Sequence, residues 1–161
     1  MTDVPDQLIA RIAADSKYWL WINDQLVIFE GGLKRGPSPS GTYYDPVDIA
    51  PYLTKGSNTI AILLWHFGKD GFSHINSGKA ALLFEAIAPG LEIVSDASWQ
   101  CALYEAYQNT EAPFPNYRMP ESNIRFDARQ AITNWNRTSF EGSLPGAVCV
   151  GKAGKAPFGK L

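Results

Sequence analysis

Hydrophobic and polar positions along this chain fall into short extended runs set apart by Gly, Pro, Asn and Asp. LIARIAA (8–14) reads as a strand, followed by YWLWIN (18–23) and QLVIFE (25–30). Only Asn23-Asp24 separates the last two, which predicts a tight hairpin. Within YWLWIN, Tyr18, Leu20 and Ile22 alternate with Trp19 and Trp21, so both faces of that strand carry bulk. A loop rich in Gly, Pro and Ser (31–41) leads to DIAPYLTKG (48–56), where Asp48 reads as an N-cap and Gly56 closes a single helical turn. NTIAILLWHF (58–67), apolar and β-branched, is the strongest strand in the chain. KAALLFEAIA (79–88) has the composition of a helix. Its neighbours are strands and Pro89-Gly90 breaks it, so a strand is expected there too. Residues 91–94, 99–107, 124–128 and 147–150 supply further strand candidates.

Many short strands with turns between them predict an all-β fold, an antiparallel β-sandwich of jelly-roll type, over residues 1–150. The tail GKAGKAPFGKL (151–161) has neither strand nor helix period and reads as a linker toward a further domain.

Length and composition narrow the classes. A chain of 161 residues with 45% hydrophobic and 19% charged residues makes one globular domain with a real core. Its net charge is −2, with no basic run, which argues against nucleic acid or an anionic membrane as partner. No apolar run approaches a membrane span, and the start lacks the pattern of a signal peptide. Cys101 and Cys149 lie in no metal-type spacing and read as ordinary thiols, with a disulfide as the alternative. Asn136-Arg137-Thr138 is a glycosylation sequon, relevant only in a secreted eukaryotic chain.

The candidate chemistry concentrates in WHFGKDGFSH (65–74), which holds both histidines. His66 and His74 are separated by two glycines, so no regular element fixes them on one face. There is no GxSxG elbow, and no pair of carboxylates stands out for glycosidic cleavage. Zinc would need more ligands, and HEXXH and EF-hand patterns are absent; calcium held by loop carboxylates and carbonyls is the one cofactor left open. The residue types also permit sugar contact, beside a purely structural strand end and loop. An aromatic ring packs under the C–H face of a sugar while charged or amide groups fix its hydroxyls. Trp65, Phe67 and Phe72 would form the stacking surface, Lys69, Asp70 and His74 would bond hydroxyls, and Arg35 would add a cation from its own loop. The competing account makes His66 the end of a buried strand and Asp70 a local cap of the loop. Asp127 reads as a structural partner for Arg125 or Arg129.

A wider pattern then emerges: Ala14-Asp15, Tyr18-x-Leu20-x-x-Asn23, Tyr43-x-Asp45, Asp48-Ile49-x-x-Tyr52-Leu53, Gly56-x-Asn58-x-Ile60-Ala61, SDASWQC and RFDAR. It resembles the N-terminal β-sandwich region of bacterial α-L-rhamnosidases of glycoside hydrolase family 78, over nearly the whole chain. The first half of the pattern is shared, more loosely, with sugar-binding jelly rolls of other glycoside hydrolases. Two departures stand out: Asn23-Asp24 replaces the usual Asn-Gly, and FEGSLPGAV lacks the tryptophan usual before the last strand. The resemblance implies a jelly roll of the galactose-binding-domain-like type, acting as a non-catalytic accessory domain. The catalytic carboxylates would sit in a separate (α/α)-barrel downstream, and the partners would be that barrel and carbohydrate containing L-rhamnose. A periplasmic or secreted parent enzyme fits the same resemblance.

Overall fold

The computed structural model describes residues 1–33, 41–72, 74–110, 121, 123–152, 154 and 155. Among them nine strands form: β1 (Ile9–Asp15), β2 (Lys17–Ile22), β3 (Gln25–Gly32), β4 (Asp45–Asp48), β5 (Ile60–Trp65), β6 (Ala81–Ala88), β7 (Leu91–Val94), β8 (Tyr107–Thr110) and β9 (Asn123–Phe126). Two antiparallel sheets, in the orders β4-β1-β6-β7 and β3-β2-β5, face each other, and β8-β9 makes a separate two-stranded sheet. The fold is an all-β sandwich.

Period-2 alternation builds the core. Ala10, Ile12 and Ala14 of β1 and Phe84 and Ala86 of β6 point inward from the larger sheet. Tyr18, Leu20 and Ile22 of β2 meet them from the smaller one. The other face of β2 carries Trp19 and Trp21, which pack edge-on against Phe29 and Trp135 on the outside of the sandwich. The phenol of buried Tyr18 donates to Asp45 Oδ2 at 2.9 Å, and the same oxygen accepts the Gly32 N–H at 2.8 Å. Burial and the neighbouring Asp45 carboxylate push the Tyr18 phenol up, so it stays a neutral donor. Gly31 lies under that ring: a Cβ there would come within 2.6 Å of Tyr18 Cζ.

The β2–β3 connection is the expected hairpin. Asn23 and Asp24 both take positive φ (47° and 70°), the conformation of a two-residue type I′ turn, and Ile22 pairs with Gln25 across it. Asn and Asp both tolerate that region, which is how Asn-Asp stands in for Asn-Gly.

Three readings of the sequence need correction. Residues 99–107 are not a strand; only Gln100 bridges, to Gly146, and pairing resumes at Tyr107. Asp96 accepts from the Ser98 backbone and hydroxyl and so turns the chain. The Trp99 indole then docks on Phe84, donating to Val94 O. Residues 147–150 likewise contribute no strand. The turn after β4 is one turn of 3₁₀ helix (Ala50–Tyr52) with Ile49 at the N-cap position. Asp48 still serves it from one residue earlier, accepting from Ala50 N and Leu8 N. Cys101 and Cys149 are both free and exposed.

Candidate functional site

The loop that holds both histidines begins where β5 ends, beside the corner at which the chain passes from one sheet to the other. β1 belongs to the larger sheet and β2 to the smaller, and the crossing takes place at Asp15-Ser16, joined by a cis peptide bond. A corner inside a sandwich leaves the ladder, so its backbone polar groups need other partners. They have them. Ser16 N donates to Trp65 O at 3.1 Å, Ser16 O accepts Leu33 N at 2.6 Å, and Asp15 O lies 3.2 Å from His66 Nδ1.

The side chains of the corner then gather the loop. Asp15 is wholly buried (0% exposed). Its Oδ1 accepts the Ser16 hydroxyl at 2.8 Å, and its Oδ2 accepts the Ser77 N–H at 2.5 Å. Ser16 Oγ in turn accepts the Phe67 N–H at 3.0 Å. His74, 2% exposed, places Nε2 3.3 Å from Ser16 Oγ and 3.5 Å from Asp15 Oδ1. Its Nδ1 is buried with no hydrogen-bond partner among the described residues, while Phe67 packs edge-on against the imidazole. An Nε2–H tautomer serves both neighbouring oxygens and leaves only a lone pair unmatched. Burial by itself would push the Asp15 carboxyl up; hydrogen bonds from His74, Ser77 and Ser16 outweigh it and hold the group well below the usual carboxylate range.

Ser16, His74 and Asp15 have the residue types of a nucleophile–base–acid set, but not its connectivity. A triad's acid orients the far nitrogen of the histidine, and the hydroxyl opens to substrate. Here serine and histidine nitrogen crowd the same carboxylate oxygen, and the hydroxyl is sealed inside. What the arrangement does is lock loop to corner. The same atoms are unavailable to a metal, and among the described residues no group of three or more His, Cys, Asp or Glu is placed to hold one.

The residues expected to contact sugar therefore separate. Phe72 stands on the surface, 81% exposed, and Lys69 and Asp70 are exposed beside it. Asp70 Oδ1 accepts the Asn76 N–H at 2.7 Å, the local cap that competed with the ligand reading, and this shapes the tip. Trp65 and Phe67 are half-buried and meet edge-to-face at 5.4 Å. Buried Lys17 holds its ammonium 4.9 Å from the Trp65 ring and 5.9 Å from Phe67, and it pairs with Glu30 and Glu121. His74 faces the interior, not the surface of the loop. Arg35 lies outside the described residues. The members of the corner that residue-type reasoning passed over are Ser16 and Lys17; a polar triplet, Asp15-Ser16-Lys17, interrupting two apolar strands was the visible signal.

No protein-family model matches the chain, and no curated protein matches it. Solved structures do. The GH78 family rhamnosidase of Bacillus sp. GL1 is 27% identical with a TM-score of 0.76, covering 98% of this chain and 16% of that one. The α-L-rhamnosidase from Dictyoglumus thermophilum shares the fold at 20% identity and a TM-score of 0.67, covering 100% of this chain and 17% of that one. The chain is thus structurally homologous to one part of these much larger GH78-type rhamnosidases and spans only a small fraction of their length.

Proposed function

We propose that this chain is a non-catalytic accessory β-sandwich of an α-L-rhamnosidase-type glycoside hydrolase, lying beside a catalytic (α/α)-barrel and holding carbohydrate weakly at the rim after β5. The observation that carries the reading is the match of nearly the whole chain to a small part of a rhamnosidase. The rim supports the finer statement. Phe72 offers an open ring face, the exposed Asp70 carboxylate lies in the same loop, and the buried corner keeps the loop backbone in place.

The test is a titration of the isotope-labelled chain with L-rhamnose followed by amide chemical shifts. Shifts should cluster at 68–76, and Phe72→Ala should weaken the response at least about fivefold, since a lost stacking ring is worth roughly 1 kcal/mol or more. An unchanged titration in Phe72→Ala would remove the rim from the account.

A second reading, a domain that only packs on the barrel, draws on the outer face of β3-β2-β5. Phe29 stands there 71% exposed against Trp19, with Leu26 also exposed. The absence of any shift with sugar would favour it.

A further inference from the structure

The outer face of the larger sheet carries a cleft whose lining shares no residue with the rim. On β1 and β6, Arg11 stands directly across from Glu85 and Ala13 across from Leu83, so all four side chains share the outer face of the larger sheet. Tyr44, just before β4, and Lys152 complete the walls of a cleft of about 330 Å³, at the small end of ligand-binding cavities. Its floor is apolar: half-buried Leu83 lines it beside Ala13, which is itself covered. Tyr44 is 41% exposed, so part of its ring is free for contact.

The polar groups are arranged for a neutral ligand with adjacent hydroxyls. Arg11 Nη1 meets Glu85 Oε1 at 3.2 Å, and among the described residues this one contact leaves Glu85 Oε2 and the remaining guanidinium N–H groups to bond a ligand. A carboxylate acceptor next to a guanidinium fork suits two neighbouring hydroxyls, one donating to Glu85 and one accepting from Arg11. Both side chains are about half exposed, so a ligand can reach them without opening the core. A bare anion would meet the Glu85 carboxylate as well as the cations of Arg11 and Lys152, and an apolar ligand would leave the pair without use.

We propose that this cleft is a second carbohydrate site, in which a sugar ring lies against Leu83, borders Tyr44, and bridges Arg11 and Glu85 through a vicinal diol. Lys152 closes the far wall. None of its lining residues belongs to the rim.

The experiment is an amide-shift titration of the whole 161-residue chain with L-rhamnose and, separately, with D-glucuronate as an anionic probe. L-Rhamnose should shift residues 11–13, 44 and 83–85 with a Kd of roughly 1–20 mM. Tyr44→Ala and Glu85→Gln, both at exposed positions, should each weaken binding at least about fivefold while the rest of the spectrum stays folded. No shift at these amides up to roughly 100 mM, a response to D-glucuronate alone, or affinity unchanged in both variants would overturn the site. Shifts confined to 68–76 would also overturn it while leaving the rim intact. Shifts confined to the cleft would support it and remove the rim instead.

Discussion

Asp15→Ala is expected to lower the stability of the domain by about 3–5 kcal/mol at neutral pH, the largest effect of any single polar substitution in the described residues. The carboxylate is fully buried and accepts from the Ser16 hydroxyl and the Ser77 N–H, with His74 Nε2 beside it. Alanine leaves those donors sealed in without an acceptor, and each orphan costs about 1–3 kcal/mol. The loss reaches further than the corner, because Ser77 and His74 fasten the far end of the loop that starts at Phe67. Asp15→Asn keeps one carbonyl oxygen and should lose about half as much.

The pH dependence has a definite sign. Asp15 is depressed in the folded protein, so the stability it confers is fully present above the unfolded-state pKa of about 4 and drains away as pH falls toward the folded value. The difference between wild type and Asp15→Ala, measured by urea unfolding, should therefore be full at about pH 7 and shrink steadily below about pH 4. A difference under about 1 kcal/mol at neutral pH, or one that grows on acidification, would show that the corner does not depend on this carboxylate.

Asn23 should come next. Its side chain donates to Tyr52 O at 2.9 Å and to Asn58 Oδ1 at 2.7 Å, and accepts the Thr59 N–H at 2.9 Å, all from a residue at φ 47°. One amide thus ties the β2–β3 turn to the 3₁₀ turn and to the start of β5. Asn23→Ala removes three hydrogen bonds and puts a Cβ without local compensation in the left-handed region, for a combined loss of about 2–4 kcal/mol. Asn23→Gly removes the same bonds but adopts that φ freely, so it should lose about 1 kcal/mol less. Thermal or urea unfolding of the three proteins should rank wild type, then Gly, then Ala. Equal stability of Gly and Ala would mean the backbone conformation carries no part of the effect, and a neutral Ala would dissolve the proposed hub altogether.

Much of this frame is legible in the residues themselves. The alternation in YWLWIN places Tyr18, Leu20 and Ile22 on one face, and they fill the core. The residues that carry the family resemblance turn out to be its polar fastenings. Tyr18 bonds Asp45, Asn23 bonds Asn58, and Asp15 holds the corner. Asp127, read as a partner for a neighbouring arginine, pairs with Arg129, whose guanidinium holds the carboxyl well below its usual range. Such residues show up in sequence because they interrupt apolar runs at fixed offsets.

The rest is hidden for a physical reason. CALYEAY (101–107) alternates like a strand, but pairing is a property of partners, and the Asp96 turn and the docking of Trp99 take this segment out of the ladder. The same holds for WHFGKDGFSH. Its composition offers sugar-contacting side chains, yet which of them face solvent depends on the corner about 50 residues earlier, where Ser16 and Asp15 draw His74 inward and leave Phe72 out. Arg35, expected to join the loop, lies outside the described residues. The cleft beside Leu83 has no sequence signal, because Arg11, Tyr44 and Glu85 come together only through the pairing of β1 with β4 and β6.

The most direct test of the central claim is to incubate the purified chain with 4-nitrophenyl α-L-rhamnoside and follow nitrophenolate release. An accessory domain whose Ser16, His74 and Asp15 are spent on its own corner should release none above buffer. Turnover that persists through purification and disappears in His74→Ala or Ser16→Ala protein that remains folded would contradict the account and make the corner an active site.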